Sequence, residues 1–145
     1  MADVKDPQGA VLDKIWDYLT TDSDLQDLFG GSVDLYPIEA EKDPEVPYMV
    51  HELVGVDKDI IRGDGAYYLD IYDKSDTVYD LWKINRRVKI LLTENRFQTP
   101  YVQFRTGKID SFESLPTKTK GMNHYSGRWP LQYQKTDLVQ QILSR

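Results

Sequence analysis

The 145-residue chain contains no cysteine and only two histidines. Disulfides, thiolate metal sites and cysteine nucleophiles are therefore excluded, and a histidine-based metal centre has little to draw on. No apolar run approaches the roughly 18 residues that read as a membrane span. The start, MADVKDPQG, has no signal-peptide profile, so a soluble protein made in the cytoplasm is expected, with no membrane partner. Basic residues are in the minority: 18 Lys and Arg stand against 24 Asp and Glu, for a net charge of −6 with both signs mixed along the chain. Nucleic-acid binding wants a concentrated basic patch, which is missing, although a protein past which DNA slides unheld remains compatible. GxSxG, Walker A and GxGxxG are all absent, leaving a serine-hydrolase elbow and the standard phosphate loops unsupported.

What is present is ordinary globular material: 40% hydrophobic and 12% aromatic residues, enough for one domain over residues 1–145 with a single core. Ten tyrosines against four phenylalanines favour amphipathic surfaces, where a ring packs and its hydroxyl meets water or a partner. Asp6-Pro7 reads as a helix start, followed by an apolar face of Val11, Leu12, Ile15, Trp16 and Leu19. Residues 21–24 interrupt it. A second short helix carries Leu25, Leu28 and Phe29 and stops at Gly30-Gly31. Val33 to Tyr36 is a brief strand candidate. The stretch from Pro37 to Pro47, with three prolines and four acidic residues, reads as an exposed loop.

The centre of the chain carries the clearest pattern. Tyr48 to Val56 is a strand. In the next, Tyr67, Leu69 and Ile71 alternate with Tyr68, Asp70 and Tyr72, the period of a strand with two different faces. Asp57 to Gly65 joins them as a long hairpin whose expected tip is Gly63-Asp64-Gly65. Ser75 stands as the N-cap of a helix running to about Glu94, with Val78, Leu81, Ile84, Val88 and Leu91 at helical spacing. Tyr101 to Thr106 alternates again, Ile109 to Leu115 is a weaker strand, and residues 116–121 form a basic loop. Tyr125 to Tyr133 is the last strand, where Pro130 indicates an edge or a bulge. Thr136 to Leu143 is a short helix or a tail. The expected fold is α+β, an antiparallel sheet of four to five strands with two main helices packed on one face.

The chemical candidates are thin. His51 and His124 come without metal-ligand spacing, and Asp57/Asp59 and Asp22/Asp24 lack the oxygen order of a calcium loop. A small metal-dependent nuclease would need strand-borne carboxylates, for which Glu52 and Asp70 are the candidates, with no lysine following in pattern. Arg62-Gly63-Asp64 spells an integrin tripeptide, but a hairpin tip is the better explanation of it. Trp16 and Trp82 are expected in the core. No catalytic, cofactor or metal residue is assigned, and the protein is not expected to be an enzyme.

The residues resemble a family. VLDKIWDYLTTDSDLQDLFGG, the proline-bounded VPYMVHELV, the run GAYYLDIYDKSDTVYDLWKINRRVKILL and the closing HYSGRWPLQYQ together resemble the tail terminator, or tail-completion, proteins of long-tailed bacteriophages. The resemblance covers most of the chain; residues 116–123 and the C-terminal TDLVQQILSR match nothing in it. It implies a structural virion protein at the tail–head junction, a hexameric ring whose subunit can be monomeric when isolated. Its partners would be the tail tube protein and the head–tail connector or neck proteins, with DNA passing the lumen and no cofactor. The contact candidates it suggests lie on the hairpin (Asp57, Lys58, Asp59, Arg62 and Asp64) and on the acidic loop (Glu39, Glu41 and Lys42). Another neck or head-closure protein is the neighbouring reading.

Overall fold

The computed structural model describes residues 7–37, 46–57, 60–73, 79–115 and 122–136. Helix α1 (Pro7–Thr20) opens on proline, whose missing N–H costs nothing in a first turn, and buries Ala10, Val11, Ile15 and Leu19. Asp22 then restarts the helix. Its carboxylate accepts a hydrogen bond from the Leu25 N–H at 3.0 Å and caps α2 (Ser23–Leu28). The same carboxylate receives Arg87 through two bonds, Nε to Oδ2 at 3.0 Å and Nη2 to Oδ1 at 2.7 Å, which ties α2 to the long helix α3 (Tyr79–Leu92). The expected glycine stop is present: Gly30 and Gly31 have φ of 82° and 140°, and the Gly31 N–H donates to the Gln26 carbonyl at 2.8 Å.

Seven strands form one sheet: β1 (Leu35–Pro37), β2 (Tyr48–Val54), β3 (Arg62–Asp73), β4 (Arg96–Gln98), β5 (Val102–Thr106), β6 (Ser111–Leu115) and β7 (Asn123–Lys135). Their order is β1-β2-β3-β7-β5-β4, with β6 also on β7. The class is α+β as expected, but two details are corrected. Among the described residues there are seven strands, not four to five, and β1 runs parallel to β2 while the other pairings are antiparallel. Both three-residue strands, β1 and β4, lie on the sheet edges and are too short to show a period of two.

The hairpin expectation also changes. Gly63-Asp64-Gly65 is not a tip but the beginning of β3, paired with Tyr133, Gln132 and Leu131 of β7 before β2 joins at Ala66. The glycines are there for close approach. A Cβ on Gly65 would lie 2.6 Å from the Val54 carbonyl oxygen, and one on Gly63 would lie 2.8 Å from the Tyr133 hydroxyl. That hydroxyl accepts the Asp57 N–H at 3.0 Å, fastening the connection between β2 and β3 to the third strand.

Pro130 stands in a central strand opposite a bulge, not at an edge. From Thr106 to Ser111 the chain advances five residues while its partner β7 goes back three, from Leu131 to Arg128. Gly107 begins the two-residue excess and donates its N–H to the Pro130 carbonyl at 2.8 Å. A strand residue's N–H and C=O point to the same neighbour, so the donor that proline lacks falls on the bulge, and the ladder to β3 is intact.

The strand residues Met49, Leu53, Tyr67, Leu69, Ile71, Val102, Phe104, Trp129, Leu131 and Tyr133 join Ile15, Leu19, Leu25, Leu81, Ile84, Val88 and Leu92 of the helices in one core. Both 14-residue helices meet this side of the sheet, as expected. The expected helix cap Ser75, the basic loop and the C-terminal segment lie outside the described residues.

Candidate functional site

The other face of the sheet has no helix over it among the described residues, and the strand period decides which side chains it presents. Register aligns Arg62, Gln134, Gln103 and Gln98 in one row across β3, β7, β5 and β4, and Asp64, Gln132, Arg105 and Arg96 in the next. These eight side chains line a groove of about 900 Å³. Arg62 Nη2 donates to Gln134 Oε1 at 3.3 Å, and Arg105 Nε to Gln132 Oε1 at 2.6 Å. Glutamine oxygens orient the guanidinium groups without neutralising them. Among the described residues none of Arg62, Arg96 and Arg105 forms an ion pair. Within a chain of net charge −6 this end of the face is locally basic.

Val54, Ala66 and Pro130 form a small apolar row beyond it, and past that row the face becomes aromatic. Tyr36 meets Tyr48 edge-on at 6.2 Å, Tyr48 stacks on Tyr72 at 4.9 Å, and Tyr72 stacks on His124 at 4.2 Å. His124 Nε2 lies 2.9 Å from Asp70 Oδ1. Arg128 bonds the Tyr68 hydroxyl at 3.0 Å and pairs with Asp110, its guanidinium 5.7 Å from the Tyr68 ring centre. Burial raises the pKa of Tyr48 and Tyr72, helped at Tyr72 by the nearby Asp70 carboxylate, so both hydroxyls stay protonated donors at neutral pH.

The candidates from sequence are scattered over this geometry. Arg62 and Asp64 share the open face as successive outward residues of β3, whereas Asp57 is exposed on the connection before it. Lys58, Asp59, Glu39, Glu41 and Lys42 lie outside the described residues. Glu52 and Asp70 are diagonal neighbours on the open face, with Asp70 held by His124, and among the described residues no three His, Asp or Glu side chains converge as a metal site. The two histidines are on opposite faces. His51 is buried under the helices with Nδ1 2.8 Å from the Tyr67 hydroxyl, and burial pushes its pKa down to about 4, Asp13 opposing weakly.

No family model and no curated protein sequence matches the chain. Solved structures do. A chain from the virion of a native gene transfer agent particle superposes with a TM-score of 0.67 at 12% identity, over 87% of this chain and 96% of that one. The two share a fold. A second solved chain is similar with a TM-score of 0.61 at 10% identity, over 89% of this chain and 95% of its own length. At such identities the likeness concerns the path of the backbone and transfers no site residue.

The groove residues of β4, β5 and β7 were not singled out from sequence. The signal was there: Gln103 and Arg105 alternate with Val102, Phe104 and Thr106, and Gln132 and Gln134 with Leu131 and Tyr133. Alternation says that such residues share a face. It does not say that β4, β5 and β7 are neighbours, and the groove needs that adjacency.

Proposed function

We propose that the protein is a structural virion component that closes the head-proximal end of a tail tube and joins it to the head connector, as a hexameric ring. The observation that carries this reading is the fold likeness to a gene transfer agent virion chain over nearly the whole length of both. The sequence resemblance to tail terminator proteins supplies the finer role. The open face fits a protein that works by contact, since it offers long hydrogen-bonding side chains at one end and stacked aromatic rings at the other.

Charge indicates where that face belongs in a ring. Arginines without an ion pair among the described residues would hold passing DNA by its phosphates at a lumen, so the groove with Arg62, Arg96 and Arg105 belongs against an adjacent ring. The acidic stretch Pro37–Pro47 and Asp57 suit the lumen or the space between rings. A neck protein bound to the portal-side connector is the second reading, because a fold shared with a gene transfer agent virion chain fits tail and neck alike.

Electron microscopy of the purified protein mixed with polymerised tail tube tests the proposal. A ring-shaped cap at one end of each tube is expected, together with retention of tube protein in a pull-down. Bare tube ends with retention of connector protein alone would transfer the protein to the neck role. DNA incubated with the protein and magnesium is expected to remain intact, and cleavage abolished by Glu52→Ala or Asp70→Ala would overturn the structural reading.

A further inference from the structure

Both tryptophans expected in the core are half exposed instead, and each sits in a helical face of one charge sign. On α3, Trp82 is 52% exposed and Ile90 62%, and Lys83 and Arg86 are exposed beside them. Offsets of one, four and eight residues from Trp82 place these four on one side of the helix. On α1, Trp16 is 46% exposed, between the exposed Asp13 and Asp17, three residues before it and one after. Its indole N–H donates to the Leu35 carbonyl at 3.2 Å, which fixes the ring before any partner arrives. The inner charges of these helices are already used within the chain, where Arg87 holds Asp22 and Asp24.

We propose that the basic Trp82 face of α3 in one copy docks on the acidic Trp16 face of α1 in a second copy. Each half has what an interface centre needs, an aromatic anchor with charges at its margin, and the margins are of opposite sign. Like faces repel, so α3 does not pair with α3 nor α1 with α1. Contact between unlike faces repeats head to tail, and such a contact closes into a ring when the rotation per step divides a full turn. The inference deepens the proposed ring and rests on that reading.

The test is a charge swap read by sedimentation velocity at about 50 mM salt, where exposed charges are weakly screened. The unaltered protein is expected to self-associate in a concentration-dependent manner. Lys83→Glu with Arg86→Glu, and separately Asp13→Lys with Asp17→Lys, should each weaken that association at least tenfold with unchanged circular dichroism, while an equimolar mixture of the two variants re-associates. Asp17→Lys alone serves if the double α1 variant misfolds, since Asp13 also acts on His51. Variants that associate as the unaltered protein does, or a mixture that stays apart, would overturn the interface. An unaltered protein that stays monomeric would overturn it too. Tube capping separates this failure from that of the ring itself. Charge variants that still form ring caps leave the ring standing and move its interface elsewhere. Variants that self-associate normally but lose capping assign these helix faces to the tube.

Discussion

The two faces of β7 show what this molecule is made of. Trp129, Leu131 and Tyr133 point under the helices and are almost wholly buried, while Arg128, Gln132 and Gln134, one residue out of step, point to the uncovered side. The buried side makes few polar commitments, such as His51 with Tyr67 and the Trp129 N–H donating to Thr93 Oγ1 at 3.2 Å. The open side is held at its groove end by polar contacts that water also satisfies, and at its other end by stacked aromatic rings. A face that must exclude water tolerates little change, whereas a face that meets partners can change its residues at small cost to folding.

Substitutions can break or sharpen that contrast. The largest effect is expected from Trp129→Ala, which empties the middle of the core and should destabilise the fold by about 3–5 kcal/mol in chemical denaturation. His51 comes next. Its pKa is lowered to about 4 in the folded protein, so the unfolded chain takes up the proton first as pH falls. The stability present above about pH 6.5 is therefore lost as pH drops towards 4, by on the order of 3 kcal/mol when complete. Denaturation midpoints measured across that range should fall in the unaltered protein and flatten in His51→Gln. Asp22→Ala removes a helix cap and the partner of Arg87 together, and about 1–2 kcal/mol is expected. Arg87 holds the Asp22 carboxyl below its ordinary pKa, so this contribution is present above about pH 4 and disappears on further acidification. The smallest effect on folding belongs to the open face. Gln132→Ala and Arg105→Ala should each change stability by less than about 0.5 kcal/mol while lowering tube capping. A loss as large as that of Trp129→Ala would mean that the open face supports the fold.

Local patterns were legible where one element explained itself. The alternation of Tyr67 to Tyr72, the Gly30-Gly31 stop and the apolar spacing of α1 and α3 all led to the elements observed. Misreadings arose where a residue answered to a distant partner. Gly63-Asp64-Gly65 has turn composition, yet its glycines accommodate the Tyr133 ring and the Val54 carbonyl. Pro130, compatible with an edge or a bulge, met the bulge, at Gly107 of the opposing strand. Trp16 and Trp82 have core composition and helical spacing, but the stripes on α1 and α3 that the sheet covers end short of both.

The sequence by itself determined the class of the protein: helices and alternating strands sufficient for one core, no cysteine chemistry, no phosphate-loop motif and an acidic balance. Those properties depend on composition and on short periods, which neighbouring residues express without help. Tertiary structure alone decided that Arg62, Arg96 and Arg105 share a groove, that four aromatic rings from four strands form one ladder, and that two tryptophans remain half exposed. Each of these depends on strand order and helix rotation, and both are determined by how the whole core packs.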